Sequence, residues 1–285
     1  MTAPVAQDQG RQLADTFRQN GAVVMKGLLD QAGLALAQEA FEWSLGHPSS
    51  AAQSYFPETG ATFYQDLFNT ESWPIYRQLF QQTALSGAVA ALLDTQDLWF
   101  FFEQIFLKEG GESRRTPWHQ DTSYFPIEGS QLAVLWLNLD PVSQENSLEF
   151  VRGSHLRTLY NGSSFDALDD TAPLYDEVVM PRLPNIEAER SAWDIISWAV
   201  EPGDAVAFHP SVLHGGAPTR QGTRRRTLSL RFFGDDVVFA ERPNAREESD
   251  VGFNREGKAS RDISEFYAGM KAGDKFRHED FIRLV

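Results

Sequence analysis

Polar and apolar residues alternate most regularly over Arg224-Arg225-Arg226-Thr227-Leu228-Ser229-Leu230-Arg231-Phe232-Phe233. Successive side chains of a strand point to opposite faces. One face therefore carries Arg225, Thr227, Ser229 and Arg231, and the other Arg226, Leu228, Leu230 and Phe232. The apolar face packs; a face of Arg, Thr and Ser lines something wet and anionic. Leu132 to Leu139 is a denser apolar run, read as a buried strand with Trp136 and Asn138 on one face. Leu98 to Lys108 concentrates Trp99, Phe100, Phe101, Phe102 and Phe106 and predicts a core strand, with Gln104 and Lys108 on the face of Phe102 and Phe106. After the Gly203-Asp204 turn a short apolar strand runs to Phe208, and Pro210 ends its pairing.

Helical periodicity lies mostly before these strands. Residues 8–19 predict a helix that stops at Asn20-Gly21, followed by a short strand from Ala22 to Lys26. Asp30 caps a second helix to about Leu45, closed by Gly46. The spacing of Ile75, Leu79, Leu85, Val89 and Leu92 predicts one or two helices over 71–93. Residues 49–70 show no clear period and read as a long loop, a candidate cover for a substrate mouth. From Thr171 to Ile195, Pro and acidic residues dominate, an excursion between core strands that builds a rim. A helix from about Asp262 to Met270 closes the chain, and His278 in the charged tail reads as a solvated face.

Short strands with Gly/Pro punctuation and helices at both ends predict a mainly β fold with flanking α-helices, a jelly roll rather than alternating βα units. The 285 residues suit one domain (1–285): a helical N-terminal support over 1–95, a core over 96–235 with a rim insertion at about 160–195, and a C-terminal extension over 236–285. A net charge of −15 argues against nucleic acid or an anionic membrane as partner. With no Cys, disulfides and thiolate metal sites are excluded. The opening MTAPVAQDQG has neither the basic start nor the apolar core of a signal peptide, so the expectation is cytoplasmic.

Candidate chemistry centres on Thr116-Pro117-Trp118-His119-Gln120-Asp121. His119 and Asp121 can offer an imidazole nitrogen and a carboxylate oxygen to one ion. An iron(II) site takes two histidines and one carboxylate on one face with the opposite positions open, and His214 is the best third ligand. A bare His-x-Asp is a weak motif, equally a surface turn in which His caps Asp. The second half strengthens it: Gly203 to Gly216 places His214 just before Gly215-Gly216, where the backbone can bend tightly. His155, in a Gly-Ser-His turn, reads as structural; His209 reads as a partner behind the ligands, and His47 as the residue past a helix end.

The words TPWHQD, NLDPVSQENSLEFVRGSH and GDAVAFHPSVLHGGAP, followed by RRRTLSLRFF, resemble the phytanoyl-CoA dioxygenase family of iron(II)/2-oxoglutarate oxygenases. The resemblance is close over roughly 96–235 and looser over FRQNGAVVMKGLLD. It implies a double-stranded β-helix (jelly roll, cupin-like), with Fe(II) held by His119, Asp121 and His214. It implies 2-oxoglutarate as co-substrate, its distal carboxylate on Arg225, and O2 as oxidant, giving succinate, CO2 and a hydroxylated product. Ser147 stands where the family usually has glycine after Asn146, which leaves the shape of that loop open.

Thr227 shares the face of Arg225 and, with Gln104, is a further candidate for binding the co-substrate. Trp118, Tyr124, Trp136 and Phe102 are candidates for an apolar substrate wall, since such walls with a few placed polar groups make small-molecule pockets. Asp121 leaves no room for the halide of a halogenase. A desaturase, or a jelly roll that binds without turnover, stays an alternative. Neither the substrate nor the oligomeric state is legible.

Overall fold

The computed structural model describes residues 3–55, 62–111, 115–166, 168–176, 179–243 and 262–285. In chain order its helices are α1 (Ala3–Asn20), α2 (Gln31–Gly46), α3 (Trp73–Gln82) and α4 (Leu85–Leu93). The strands are β1 (Ala22–Met25), β2 (Gln53–Tyr55), β3 (Thr62–Leu67), β4 (Trp99–Glu109), β5 (Thr116–His119), β6 (Ile127–Glu128) and β7 (Leu132–Asn138). They continue with β8 (Leu148–Val151), β9 (Ile195–Ser197), β10 (Ala205–Phe208), β11 (His214–Gly216), β12 (Arg224–Phe233), β13 (Val238–Phe239) and β14 (Ile282–Arg283). The larger sheet runs β1-β10-β7-β12-β4-β3-β2, with β14 also on β4; the smaller runs β5-β11-β8-β9. Among the described residues no helix is long and apolar enough to cross a membrane.

β12 sits centrally because both of its edges find long partners: Arg224 to Phe233 pairs with β4, and Thr227 to Phe233 pairs with β7. Its alternation then sorts the two faces. Leu228, Leu230 and Phe232 join Phe41, Tyr76, Phe80 and Phe100 under the helices. Fully burying each such side chain contributes about 1.5–3 kcal/mol, which seats α2 and α3 on this face. Arg226 at the edge of that face donates to Asp140 (2.8 Å) and Glu42 (3.3 Å). The other face of β12 looks into the space between the sheets, where Val134, Phe150, Val206 and Phe208 form a second apolar cluster. Double-stranded β-helix geometry follows from these two sheets facing one another across that interior.

Asp30 caps α2 as its sequence predicts, its side chain accepting from Gly33 N–H at 2.8 Å. Three readings are corrected. Residues 49–70 are not all loop, since β2 and β3 form a hairpin that extends the sheet edge on β4; the rest of that stretch, 56–61, lies outside the described residues. Both faces of β3 stay partly exposed, so no hydrophobic period marks it. The C-terminal helix shrinks to a 3-10 turn over Ile263–Tyr267, held by a capping box between Asp262 and Glu265. His278 is not on a solvated face: its ring packs on Phe266 at 4.8 Å.

Glu103, on the helix-facing side of β4, is buried and accepts from Asn69 N–H at 2.7 Å. Burial pushes its carboxyl up to about 8 from 4.5. The folded chain therefore holds a proton that the unfolded chain has released, and stability falls as pH rises towards 8. Buried His214 and His209, held to about 3 and 4 against an ordinary 6.5, oppose this only below pH 6.5. Between pH 6.5 and 8 Glu103 should contribute a loss on the order of 1 kcal/mol per pH unit, opposed by buried Lys108, which burial holds well below its ordinary value. Glu103→Gln should flatten that decline in thermal melts; an unchanged slope would show that another group sets it.

Candidate metal centre

β5 and β11 run antiparallel with His119 directly opposite His214, which sets the two imidazoles 4.2 Å apart, centre to centre. The histidines share one orientation device. Nδ1 of His119 lies 2.9 Å from Pro117 O, and Nδ1 of His214 lies 3.0 Å from Val212 O. A carbonyl only accepts, so each Nδ1 carries the hydrogen and each Nε2 keeps a lone pair for a metal. Asp121 starts a 3-10 turn two residues after His119, which brings its Oδ1 to 3.3 Å from His119 Nε2 and 3.6 Å from His214 Nε2. Ligands about 2.1 Å from one ion at right angles lie about 3 Å apart, so the three atoms fit a single ion with little adjustment. Among the described residues this is the one such group of His, Cys, Asp and Glu.

The local glycines are steric requirements. A Cβ on Gly215 would meet Thr116 O at 2.9 Å, and Gly216 has φ +88° with Ser147 O 3.2 Å from where its Cβ would stand. Side chains at either position would push β11 off its neighbours and part the two histidines. Ser147 itself is buried and its carbonyl accepts from Ala217 N–H at 3.0 Å, so the loop closes without a glycine there.

Electrostatics prepare the same three groups for a cation. Burial, reinforced by His119, holds His214 down to about 3, so its ring is neutral at neutral pH. Burial pushes the Asp121 carboxyl up, yet Arg231 and the two histidines outweigh it and leave it well below the usual range. Arg231 Nη2 lies 3.3 Å from Asp121 Oδ2, the oxygen turned away from the histidines.

Along the same inner face of β12, Arg225 donates to Asn146 O (2.8 Å) and Ala217 O (2.7 Å), and its buried Nε has no acceptor. Across the β4 pairing stands Lys108, only 2% exposed, donating to Ala217 O at 3.1 Å. Burial lowers both cations, Arg225 to about 10 and Lys108 well below its ordinary value, the latter also through Arg225. No carboxylate among the described residues pairs with either. A buried guanidinium with no carboxylate partner among the described residues, with a buried lysine beside it, on the same inner face of β12 as Arg231, fits an anionic ligand that also reaches the metal, as 2-oxoglutarate does.

The phytanoyl-CoA dioxygenase (PhyH) family model matches residues 17–227, most of the chain. The chain belongs to the phytanoyl-CoA dioxygenase family. The triad fits an iron(II) ion, and the buried Arg225 with Lys108 beside it fits an acid co-substrate such as 2-oxoglutarate. A probable phytanoyl-CoA dioxygenase of Caenorhabditis elegans is 28% identical over 130 residues, 45% of this chain and 39% of that protein. The peroxisomal phytanoyl-CoA dioxygenase of Homo sapiens is 25% identical over 142 residues, 49% of this chain and 40% of that protein. These matches thus span about two fifths of the relatives' own length. Among solved structures, the epimerase SnoN in complex with Fe3+, alpha ketoglutarate and nogalamycin RO superposes with TM-score 0.69 and 18% identity, covering 99% of this chain and 100% of that one. The alpha ketoglutarate dependent carbocyclase SnoK gives TM-score 0.66 at 17% identity, covering 96% of each. They share the jelly-roll fold with this chain.

The remaining candidates are dispersed around the barrel interior. Thr227 is fully buried and donates to Asn138 Oδ1 at 3.4 Å. Gln104 accepts from Arg231 Nη2 (2.8 Å) and donates to Gln65 (3.1 Å), so both ends of its amide are engaged by protein. Trp136 lies inside the barrel, opposite Ser229 and 5.0 Å from the ring of Phe106. Phe102 is core, with its ring 4.6 Å from the Arg231 guanidinium. Trp118 is not brought to the metal: it packs with Val151, Leu183, Ile186 and Leu213, and its Nε1 donates to Glu187 at 3.0 Å. Strand alternation sends it to the face opposite His119. His209 has both nitrogens engaged away from the triad, by Gly129 O and Ser211 N–H; Phe208, 4.6 Å away, is what packs on His214.

Tyr124 does stand beside His119, at 6.1 Å between rings. Its hydroxyl donates to Ser163 O (2.9 Å) and accepts from Ser163 N–H (2.8 Å), pinning the rim loop. That loop delivers Phe165, which no sequence pattern singled out. Its ring lies 5.3 Å from His119 and stacks on Tyr124 at 6.0 Å, while remaining 36% exposed. Its φ of 57° is unusual for an aromatic residue, a conformation that costs on the order of 1–2 kcal/mol.

Proposed function

We propose that this oxygenase hydroxylates a small, partly apolar metabolite, consuming 2-oxoglutarate and O2 and releasing succinate and CO2. The observation that carries the reading is the pairing of a His119–Asp121–His214 face with the buried, unopposed Arg225 one strand away. His119, Asp121 and His214 would hold Fe(II), and Arg225 would take the distal carboxylate of 2-oxoglutarate, with Lys108 adding charge beside it. Iron and 2-oxoglutarate together supply the oxidation of an unactivated C–H bond. The chain's own residues do the rest. Arg225 sets the register of the co-substrate, Val134, Phe150, Val206 and Phe208 keep water from the barrel interior, and Tyr124 and Phe165 meet the substrate at the mouth. The acidic balance of the chain, −15, favours a small-molecule substrate over a nucleic acid.

A second reading is removal of substrate hydrogen without oxygen insertion. It is favoured by the near-complete superposition on proteins described as an epimerase and a carbocyclase. One experiment separates the two: screen metabolites for succinate release above the substrate-free background, then weigh the product. A gain of one oxygen supports hydroxylation; unchanged mass, or loss of two hydrogens, supports the other outcomes. No metabolite raising succinate release would count against catalysis on small molecules altogether.

Phe165 gives this reading a residue-level test. Its exposed ring beside a metal ligand offers apolar contact worth roughly 25 cal/mol per Å² covered. Phe165→Ala should raise the substrate concentration for half-saturation by about tenfold, the order of one lost apolar contact, and leave 2-oxoglutarate affinity unchanged. Equal loss for both ligands would move Phe165 from substrate contact to support of the site as a whole.

A further inference from the structure

Arg225 and Arg231 lie on one face of β12, yet their surroundings differ completely. The Arg231 guanidinium is 4.6 Å from the ring of Phe102 and 5.3 Å from that of Phe125, and these rings lie 5.2 Å from one another, so two aromatics pack against one side of it. Its edge makes the hydrogen bonds. That edge gives Nη2 to Gln104 Oε1 at 2.8 Å and to Asp121 Oδ2 at 3.3 Å, with Nη1 3.3 Å from Ser229 Oγ. Gln104 is itself held by Gln65, at 3.1 Å. A register shift in the β4–β12 pairing occurs just after Arg231, where Phe232 skips to Phe100. The outcome is a guanidinium packed against two aromatic rings and held through its terminal nitrogens, while Nε has no acceptor, with Nη2 aimed at one oxygen of a metal-ligating carboxylate.

The two Asp121 oxygens are thereby divided. Oδ1 faces the two histidine Nε2 atoms, and Oδ2 faces Arg231. Carboxylates bind metals through one oxygen or two, and the choice follows what else claims the second oxygen. Here the distinction decides the chemistry available. With three protein ligand atoms, a six-coordinate ion would keep three positions, enough for a two-point acid co-substrate and one more. A two-oxygen Asp121 would occupy that last position or block the chelate.

We propose that Arg231 is a positioning residue that keeps Asp121 a one-oxygen ligand and so preserves the open positions on the metal. This rests on the iron-site reading above and adds to it a device in the chain's own β12. The Arg231 guanidinium is hydrogen-bonded to Gln104, Ser229 and Asp121, and it acts through Asp121.

Co(II) is the probe, because its visible bands report coordination number and it binds the same donors without turnover. Wild type loaded with Co(II) and titrated with 2-oxoglutarate sets the reference. Arg231→Met, which removes the guanidinium and keeps an apolar chain against Phe102 and Phe125, should still take up Co(II). Its visible bands should shift, and its 2-oxoglutarate affinity should fall by about ten- to a hundredfold. Arg231→Lys, which restores a cation near Oδ2, should recover part of both. Gln104→Leu releases the guanidinium without removing it and should move the same readouts in the same direction by less, which keeps a test in hand should Arg231→Met melt too low to study. A folded Arg231→Met with wild-type bands and wild-type 2-oxoglutarate affinity overturns the proposal. So does a folded variant that loses Co(II), which would make Arg231 a support for metal uptake itself. If wild type takes up no Co(II), the iron-site reading falls first and this inference falls with it.

Discussion

His214→Ala and Asp121→Ala should each abolish the visible charge-transfer band that iron(II) and 2-oxoglutarate give together in the absence of oxygen, and reduce succinate formation to background. Each deletion leaves two protein donors where the site is built for three, on a face whose geometry is fixed by the β5–β11 pairing. Neighbouring groups cannot substitute. His209 is buried and has both ring nitrogens engaged by Gly129 O and Ser211 N–H. His155 lies against it at 5.5 Å and accepts no part in the triad, its Nε2 being held at Arg18 O. His209→Ala should accordingly keep the band, while lowering thermal stability through the lost packing. A band that survives His214→Ala and disappears in His209→Ala would reverse the ligand assignment.

Much of this site was legible before the structure, and the physical reason is local spacing. His119 and Asp121 are two residues apart at a strand end, and the Arg225/Thr227/Ser229/Arg231 face follows from a period of two. The same period, applied one residue back from His119, places Trp118 on the opposite face, which is where it lies. What spacing cannot distinguish is Arg225 from Arg231. Both are buried arginines on one face, and only the turn that carries Asp121 to one end of that face, with the carbonyls of Asn146 and Ala217 at the other, separates their roles. Phe165 was illegible for a related reason. It is a lone aromatic in a polar excursion, and its place beside His119 is set by Tyr124 hydrogen-bonding Ser163 across 39 residues of chain. The β2–β3 hairpin escaped notice because its partly exposed faces carry no apolar alternation.

Arg225→Lys should weaken 2-oxoglutarate by about ten- to a hundredfold while leaving metal uptake intact, the size of a lost charge-assisted pair of about 1.5–3 kcal/mol. The reason lies in how the guanidinium is already used. Asn146 O and Ala217 O each take one hydrogen from a terminal nitrogen, which locks the plane and leaves Nε and the remaining hydrogens for a carboxylate. A lysine ammonium at 225 would be a point charge without that fork. Arg224 is half exposed beside Glu109 (3.6 Å), and Arg226 is committed to Asp140, so lysine at either position should change co-substrate affinity far less. Lys108→Met sharpens the test, because its two effects have opposite signs. Without co-substrate, Lys108 is a desolvated amine sharing the carbonyl of Ala217 with Arg225 in a buried site, so an apolar side chain in its place should raise the melting temperature. With 2-oxoglutarate present, the variant should gain less on binding, because one of the two cations facing the distal carboxylate is gone. Thermal melts with and without 2-oxoglutarate read both signs. Equal weakening by lysine at 224, 225 and 226, with no reversal at 108, would mean a diffuse basic patch rather than a seat built around Arg225.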